Sequence, residues 1–478
     1  MSNDSHLKTK WERHEEYMKK YHEREPFVLF PFTPTETIWE EKILPVLNTK
    51  FESVKQLEAA IASLCEENPD HSINFFTLYY ETQHEKFMEW RDKSLEFRKK
   101  DYFFSTLLPF IQQLARDLPT TVPKLPILVP NKEGSIHLHQ RQIACILANA
   151  FFCTFDTVDP ARFTGFKFPT LSFRSLYAGM YHSSAMECIL NYFYQIQKSM
   201  PQGTVEFYRK ALTPERTPNW AASTKKMAPV KVLPKGLIEL SKARYHADFA
   251  NEFLGGGVLH GGNVQEEILF LIKPECLAGL LFCAKMKNNE AIGIRGAQRY
   301  SSYSGYGFHF EFADAYDDKS IRDAQGNIRT IILAFDAIVS FDRDMQFKQM
   351  PFDRDLNKAY IAFSKTPHEE HIANNCNSNA PEPNLDNTIA TGNWGCGAFG
   401  GDKHLKFIQQ LMAASEAERE LEYYTFNDEK LSESLTEIYD FLVANQVTVG
   451  QLYQACLAYD PSVRFFAFLK HKLGKTQV

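Results

Sequence analysis

The chain has 478 residues, which suggests two or three domains, and its 44% hydrophobic and 23% charged residues are typical of a globular protein. The net charge of −6 comes from interspersed acidic and basic residues, without the basic block that binds nucleic-acid or membrane surfaces. We therefore expect neither sequence-specific nucleic acid nor a membrane as a partner. An anionic ligand would have to be held locally, by backbone amides and a few side chains.

Two further features concern where the protein works. The N-terminal 25 residues are polar and lack the apolar core of a signal peptide, and no apolar run reaches the roughly 18–20 residues of a membrane span. The nine cysteines include no C-x-x-C pair, and their odd number argues against a disulfide framework. We expect a soluble protein of the nucleus or the cytoplasm, not a secreted one, with reduced thiols.

A helical pattern dominates roughly the first 200 residues. Residues 11–24 are densely charged and predict a solvated helix or a tail. Apolar residues recur at helical spacing from about 53 to 116, and residues 139–155 and 184–199 predict two more apolar helices.

Prolines mark a boundary after these helices. Residues 212–236 contain four prolines and little periodicity, which predicts a linker. We place the domain boundary there, with a helical accessory region at 1–225 and a second domain at 226–478.

Short strand patterns alternate with helices beyond this boundary. Residues 329–341 form a nearly continuous apolar run, typical of a strand that is buried on both faces. Residues 404–420 predict a helix, and residues 420–426 predict a strand after it. Residues 367–392 predict a long polar loop. The alternation of strands and helices predicts an α/β fold.

The most informative stretch is GGGVLHGGNVQEE at residues 255–267. Gly255, Gly256 and Gly257 allow a close backbone approach and positive φ, and successive amides in such a turn can bind an anion. The spacing matches neither a Rossmann fingerprint nor a P-loop. A glycine-rich turn without a ligand is the alternative.

Two adjacent carboxylates end this stretch. Asn263 is predicted to cap a helix over 264–272, and Glu266 would complete a capping box. Glu267 then has no capping role and lies on the side of Phe270, which is expected to face the interior. A carboxylate there is either paired or has a raised pKa, as a general acid requires. A surface salt bridge is the alternative for Glu267.

Two more glycine clusters follow in the second domain. ATGNWGCGAFGGD at 390–402 and the aromatic run YSSYSGYGF at 300–308 could hold a diphosphate and cover a flat base. Hairpin packing is the alternative for the aromatic run. Taken together, the three clusters predict a pocket for a nucleotide diphosphate.

These motifs together resemble the eukaryotic-type poly(ADP-ribose) glycohydrolase family. The resemblance rests on a GGG run followed by QEE, on ADFANEFLGGG, on YSSYSGYG, and on LNKAY, ATGNWGCGAFGGD and YTF in this order. It extends from about residue 125 to 456, and the upstream QIACILANAFFCTF is similar to the helical region of the family. It implies a macrodomain-like mixed sheet flanked by helices, preceded by a mostly helical region.

The resemblance also implies an activity and its residues. The chain would hydrolyse the ribose–ribose O-glycosidic bonds of poly(ADP-ribose), with Glu267 as the acid that protonates the leaving ribose oxygen. Glu266 and Asp248 would complete the catalytic set, and together with Asn251 they would hydrogen-bond sugar hydroxyls. The implied contacts to adenine, the adenosine end and the diphosphate are Ile238, Gly255, Gly256, Gly257, Gln265, Tyr306, Asn393, Gly397, Phe399 and Phe426.

The chemistry of glycoside cleavage agrees with these residues. The oxocarbenium-like transition state needs a proton for the leaving oxygen and electrostatic support for the cation. Neighbouring glutamates cannot flank a bond from opposite faces, so we hypothesise that Glu267 acts alone, first as acid and then as base. The alternatives are a non-catalytic reader of ADP-ribose chains and a nucleotide-sugar transferase.

The implied partners are poly(ADP-ribose) and ADP-ribosylated proteins. No cofactor and no metal is implied, because no cluster of His, Cys and Asp has the spacing of metal ligands. The sequence indicates no particular oligomeric state.

Overall fold

The fold is organised around an eight-stranded mixed sheet. The computed structural model describes residues 26–33, 37–65, 73–82, 95–159, 164–340, 342, 344–365 and 387–474. The strands are β1 (Gly134–His139), β2 (Thr204–Ala211), β3 (Val230–Leu233), β4 (Tyr245–Asp248), β5 (Glu290–Arg295), β6 (Ser301–Ser304), β7 (Glu311–Ala315), β8 (Ile331–Ala334), β9 (Thr388–Gly392) and β10 (Glu420–Tyr424). The large sheet has the order β1-β2-β5-β8-β4-β9-β10-β3, and β6 and β7 form a separate hairpin.

Five strands of the large sheet run in the same direction. β8, β4, β9, β10 and β3 pair in parallel. β1, β2 and β5 extend the β8 edge through antiparallel pairs. The carboxyl ends of β4, β9 and β10 therefore meet at one edge of the sheet.

Helices cover both faces of this sheet. The longer α-helices among the described residues are α1 (Val54–Leu64), α2 (Leu108–Thr121), α3 (Gln140–Phe151), α4 (Ser183–Lys198), α5 (Gln265–Ile272), α6 (Gln349–Phe363), α7 (Lys403–Glu416), α8 (Glu429–Ala444), α9 (Val449–Leu457) and α10 (Phe465–Gly474). No helix of the described residues has the length and apolar character that crossing a bilayer requires.

Because successive side chains of a strand point to opposite faces of the sheet, the interior is divided into two cores. Ile292 of β5 and Ile332 of β8 pack with α1 to α5 on one face of the sheet. Their neighbours Ala291 and Ile331 pack with α6 to α10 on the other face. A strand with apolar residues at successive positions supplies both cores, which explains the continuous apolar run predicted at 329–341.

Several predicted elements are confirmed with changed bounds. The helices predicted at 139–155 and 184–199 are α3 and α4, and the helix predicted at 404–420 is α7. The strand predicted at 420–426 is β10. The strand predicted at 329–341 is only the four residues of β8, because the chain leaves the sheet after Ala334.

Three sequence predictions were wrong or incomplete. Two strands, β1 and β2, lie within the part that was predicted to be mostly helical. The expected linker at 212–236 contains β3, an edge strand between Pro229 and Pro234, where proline is tolerated. The expected loop at 367–392 ends in β9.

Parts of the earlier predictions lie outside the described residues, namely 11–24 and 367–386. The boundary at residue 225 stays a prediction.

Candidate functional site

A cavity of about 410 Å³ opens at the carboxyl ends of β4, β9 and β10. Crevices at this end of parallel strands are the usual ligand sites of open α/β sheets, and the volume suits a ligand larger than a single sugar. The predicted site residues that line it are Ile238, Asn251, Gln265, Glu266, Glu267, Tyr306, Asn393, Gly397, Phe399 and Phe426. Asp248, Gly255, Gly256 and Gly257 are not among its lining residues.

Glu266 and Glu267 both hold backbone amides of the preceding loop. Glu266 Oε2 accepts the N–H of Asn251 at 2.8 Å, and its Oε1 accepts the N–H of Gly255 at 2.6 Å. Glu267 accepts the N–H of Gly257 through Oε1 and the N–H of Val264 through Oε2, both at 3.0 Å. The two carboxylates thus fasten the loop to the first turn of α5.

The start of α5 differs from the prediction. Val264 is the N-cap, so the third helical position is Glu267, and its carboxylate accepts the N-cap amide. Glu266 turns to the neighbouring loop instead. The prediction that Glu266 closes the helix and that Glu267 has no capping role was wrong. Since each residue turns a helix by about 100°, a start one residue later exchanges the directions of two adjacent side chains.

We call residues 255–262 the glutamate-holding loop, because its amides serve the protein's own carboxylates. Gly255 donates to Glu266, Gly257 donates to Glu267, and Gly256 donates to the carbonyl of Phe253 at 3.0 Å. Gly256 has φ +52°, and a Cβ there would lie 2.7 Å from Glu266 Oε2 and 2.8 Å from Glu267 Oε1. Glycine is required because the carboxylates occupy the space of a side chain. All three glycine amides therefore have acceptors within the protein.

A third carboxyl group lies beside the two glutamates. Asp248 ends β4, is fully buried, and neither of its oxygens has a hydrogen-bond partner among the described residues. Burial, and then Glu267, raise the pKa of Asp248 well above its ordinary value. Burial, and then Asp248, likewise raise the pKa of Glu266. Asp248 and Glu266 therefore ionise less readily than carboxyl groups in water.

The polar side chains next to the glutamates are already paired. Gln265 donates to the carbonyl of Ala247 at 3.1 Å and accepts the N–H of Phe249 at 2.8 Å. Asn251 Oδ1 accepts the N–H of Phe253 at 3.0 Å. Both side chains thus hold the segment after β4 in place, in addition to lining the cavity.

The second glycine cluster has the opposite arrangement. The N–H groups of Gly397, Ala398 and Phe399 donate to no acceptor in the described part of the chain, and all three residues line the cavity. We call residues 393–401 the cavity-facing loop. Its end is fixed by Asp402, which caps α7. Successive unpaired amides close to a helix start are an arrangement that can bind an anion.

Two aromatic side chains flank the cavity mouth. The rings of Tyr306 and Phe426 lie 5.1 Å apart at 57°, and the side chains are 40% and 54% exposed. Phe426 has the left-handed φ of +57°, which turns it out of the line of β10. The turn of Tyr306 is fastened to the segment just before α5, because Gly307 donates its N–H to the carbonyl of Asn263 at 2.8 Å.

The lining residues that were not predicted include Tyr303, Glu239 and Lys403. Tyr303 donates its hydroxyl to Glu239 Oε1 at 2.5 Å, and both line the cavity near Ile238. Lys403 lies next to the cavity-facing loop, with Nζ 3.0 Å from Asp428. The sequence features that could have indicated these residues are the aromatic run itself and a lysine directly after a glycine cluster.

Comparison with known proteins identifies the family. The family model "Poly (ADP-ribose) glycohydrolase (PARG), Macro domain fold" matches residues 217–433, and the corresponding helical-domain model matches residues 95–209. Poly(ADP-ribose) glycohydrolase 1 of Arabidopsis thaliana is 32% identical over 468 residues, covering 80% of this chain and 84% of that protein. The chain belongs to the poly(ADP-ribose) glycohydrolase family.

Other members of the family are similar over shorter lengths. A probable poly(ADP-ribose) glycohydrolase 2 of Arabidopsis thaliana is 31% identical, over 77% of this chain and 80% of that protein. Poly(ADP-ribose) glycohydrolase 1 of Caenorhabditis elegans is 36% identical over 56% of this chain and 34% of that protein.

The family match confirms the predicted fold. A macrodomain-like mixed sheet with flanking helices follows a helical region, as expected for a poly(ADP-ribose) glycohydrolase. The cavity and both glycine loops lie within the macrodomain match at 217–433. Strand β1 and the first six residues of β2 lie within the helical-domain match, and both strands add to the same sheet.

Proposed function

We propose that this protein hydrolyses the ribose–ribose O-glycosidic bonds of poly(ADP-ribose) and releases ADP-ribose, with Glu267 as the general acid and base. The observation that carries the proposal is the position of Glu267 in the cavity wall, between amides of the glutamate-holding loop and the start of α5. Membership in the glycohydrolase family supports the substrate.

The cavity offers separate places for the parts of an ADP-ribose unit. The unpaired amides of Gly397, Ala398 and Phe399 suit the diphosphate, and Lys403 adds a positive charge nearby. Tyr306 and Phe426 suit the adenosine end, because exposed aromatic rings stack on a base. The ribose link then lies toward the glutamates.

Glu267 is the glutamate on the side of the bound adenosine. Among the two, it is the one whose charge acts on Tyr306, where it contributes to raising the pKa of the phenol behind the larger effect of burial. The oxygens of both glutamates accept backbone N–H groups, but Glu266 is 2% exposed whereas Glu267 is 7% exposed. Glu267 is therefore better placed to reach a substrate oxygen.

The proposed reaction uses one carboxyl group twice. Protonated Glu267 gives its proton to the leaving ribose oxygen as the bond to the anomeric carbon breaks. The resulting carboxylate takes a proton from the attacking water, whose oxygen bonds to the anomeric carbon, and Glu267 is protonated again. The negative charge of the substrate diphosphate stabilises the positive charge on the sugar.

Asp248 is proposed to act through the glutamates. Because it is fully buried and does not line the cavity, it is a positioning residue and has no direct contact with the sugar hydroxyls. Its raised pKa means that Asp248 ionises less readily beside Glu266 and Glu267, which limits the negative charge of the site.

Incubation with poly(ADP-ribose), followed by identification of the released product, tests the function. We expect free ADP-ribose. A reader would bind the polymer and leave it intact, and a transferase would consume a free nucleotide sugar and build a new glycosidic bond. Either result would overturn the proposal.

Two expectations accompany this function. ADP-ribosylated proteins are the proposed partners, since they carry the polymer. We also propose the nucleus or the cytoplasm as the location, which is supported by the lack of a disulfide bond among the eight described cysteines.

A further inference from the structure

We propose that Cys65, Cys153 and Asp156 form a binding site for a zinc ion in the helical region. Their two Sγ atoms and a carboxylate oxygen lie within 4.8 Å of one another. The three residues come from distant parts of the sequence, namely the end of α1 and the turn that follows α3. None of them lines the cavity.

The donor set selects the class of metal. Thiolate sulfur is a ligand for soft and borderline cations such as Zn²⁺, whereas Mg²⁺ and Ca²⁺ prefer oxygen. With Zn–S bonds of about 2.3 Å, two sulfurs of a tetrahedral site lie about 3.8 Å apart. Because the two sulfurs lie within 4.8 Å of each other, they need to approach by no more than about 1 Å to reach this spacing, and a water molecule can take the fourth position.

The surroundings of the three ligands favour a bound cation. Ser172 donates its hydroxyl to Asp156 Oδ2 at 3.0 Å, which orients the carboxylate as outer-shell partners of metal ligands do. Two thiolates, one carboxylate and Zn²⁺ leave one negative charge, and the guanidinium of Arg174, whose charge acts on Cys65, offsets it.

The two thiols interact already without a metal. A hydrogen bond from Cys153 lowers the pKa of Cys65, and the charge of Arg174 adds to this effect. Burial raises the pKa of Cys153.

The backbone at Cys153 supports a built site. Cys153 is fully buried and has φ +56°, a left-handed conformation that a non-glycine residue rarely adopts. Such strain concentrates at functional positions. This conformation places Cys153 in the turn that leads to Asp156, whose N–H donates to the carbonyl of Cys153 at 3.1 Å.

Zinc chloride alone is the probe for this site. The full chain is reduced with a phosphine, freed of metal with a chelator, and dialysed against zinc, magnesium or calcium, and the bound metal is measured by mass spectrometry. We expect one zinc per chain, a higher melting temperature with zinc, and no uptake of magnesium or calcium. Absence of zinc uptake by the reduced protein overturns the proposal.

Substitutions locate the bound ion. Cys65→Ser is the decisive variant, because Cys65 is only half-buried and its replacement should leave the fold intact. We expect it to lose stoichiometric zinc, and we expect Asp156→Asn to bind more weakly. Cys396→Ser, which changes another half-buried cysteine, should bind zinc as the wild type does. Equal uptake by Cys65→Ser and the wild type would exclude this site.

Cobalt gives a readout that does not depend on stability. Co²⁺ bound to thiolates absorbs in the near ultraviolet, and this band should appear in the wild type and vanish in Cys65→Ser. A Cys65–Cys153 disulfide in the oxidised protein, together with no metal bound in the reduced protein, would identify the pair as a redox pair and contradict the zinc site.

Discussion

The glutamate-holding loop and the cavity-facing loop are both rich in glycine and both lie beside the cavity, but their backbone amides serve different acceptors. In the first loop, Gly255 and Gly257 donate to Glu266 and Glu267. In the second, the amides of Gly397, Ala398 and Phe399 have no acceptor in the described part of the chain. One loop holds the protein's own anions, and the other is open to those of a ligand.

This difference shows what a glycine cluster predicts. Glycine indicates that the backbone approaches another group closely, because no Cβ intervenes. It does not indicate whether that group belongs to a ligand or to the protein. At Gly256 the nearby groups are two carboxylates, whereas a Cβ at Gly397 would meet no described atom within 4 Å.

The largest expected effect comes from Glu267→Gln, which removes the proposed proton carrier and keeps the shape. We expect kcat for poly(ADP-ribose) to fall by about 10³-fold, within the range of general acid–base catalysis, with little change in ADP-ribose affinity. Glu239→Gln, which alters another carboxyl group of the same cavity, is the control and should retain most of kcat. Unchanged turnover in Glu267→Gln would refute the proposed mechanism.

Gly256→Ala tests the glutamate-holding loop directly. The new Cβ would displace both carboxylates, so we expect kcat to fall by about 10²-fold and stability by about 1–3 kcal/mol. Steady-state kinetics and thermal unfolding measure the two effects.

Gly397→Ala makes the same change in the cavity-facing loop. Because its Cβ meets no protein atom, we expect stability to change by less than about 0.5 kcal/mol and KM to rise more than kcat falls. If both alanine variants lowered kcat equally, the contrast between the loops would be lost.

Phe426→Ala tests the aromatic side of the cavity. Loss of a stacking ring should weaken ADP-ribose binding by roughly 1–3 kcal/mol, as measured by calorimetry. Phe308→Ala is a matched control, because this exposed ring follows Tyr306 and does not line the cavity. Equal affinity of the two variants would argue against stacking by Phe426.

The smallest effect concerns pH and Asp248→Asn. A carboxyl group with a raised pKa in the folded state stabilises the fold fully below its unfolded pKa, ordinarily about 3.8, and less as the pH rises. Asparagine does not ionise, so the variant does not lose stability in this way as the pH rises. Its free energy of unfolding at alkaline pH should therefore exceed that of the wild type by about 1 kcal/mol. Denaturant unfolding from acidic to alkaline pH measures this difference.

Glu275→Gln provides the comparison for that prediction. Burial raises the pKa of Glu275 to about 7, but its oxygens accept hydrogens from Gln140, Gln298 and Tyr300. A glutamine side chain cannot accept all three hydrogen bonds. The stability that Glu275→Gln gains at alkaline pH should therefore be smaller than the stability that Asp248→Asn gains. The opposite order would contradict the picture of an unpaired Asp248.

Sequence patterns predicted the parts of the site that depend on local order. The GGG and QEE motifs, the aromatic run and the ATGNWGCGAFGGD cluster all lie at one cavity or next to it. Helical periodicity located α3, α4 and α7, because each has an apolar face that a core must cover.

Features that depend on tertiary structure could not be predicted. Glu267 takes the capping role that was predicted for Glu266, because the helix starts one residue later than predicted. The pairing of β2 with β5, and the approach of Cys65 to Cys153, join segments that are far apart in the sequence. No local sequence pattern indicates which distant segments will lie next to each other in the fold.

The strand order also has a consequence for how the protein is made. The ribosome delivers β3 and β4 long before β9 and β10, which join them in the finished sheet. In a nascent chain that ends before residue 388, one edge of β4 is unpaired. An unpaired strand edge favours pairing with a wrong strand and binding by chaperones. The ligand site arises only when the strand that ends at Tyr424 has emerged, so a stop codon just upstream would produce a large chain without a cavity.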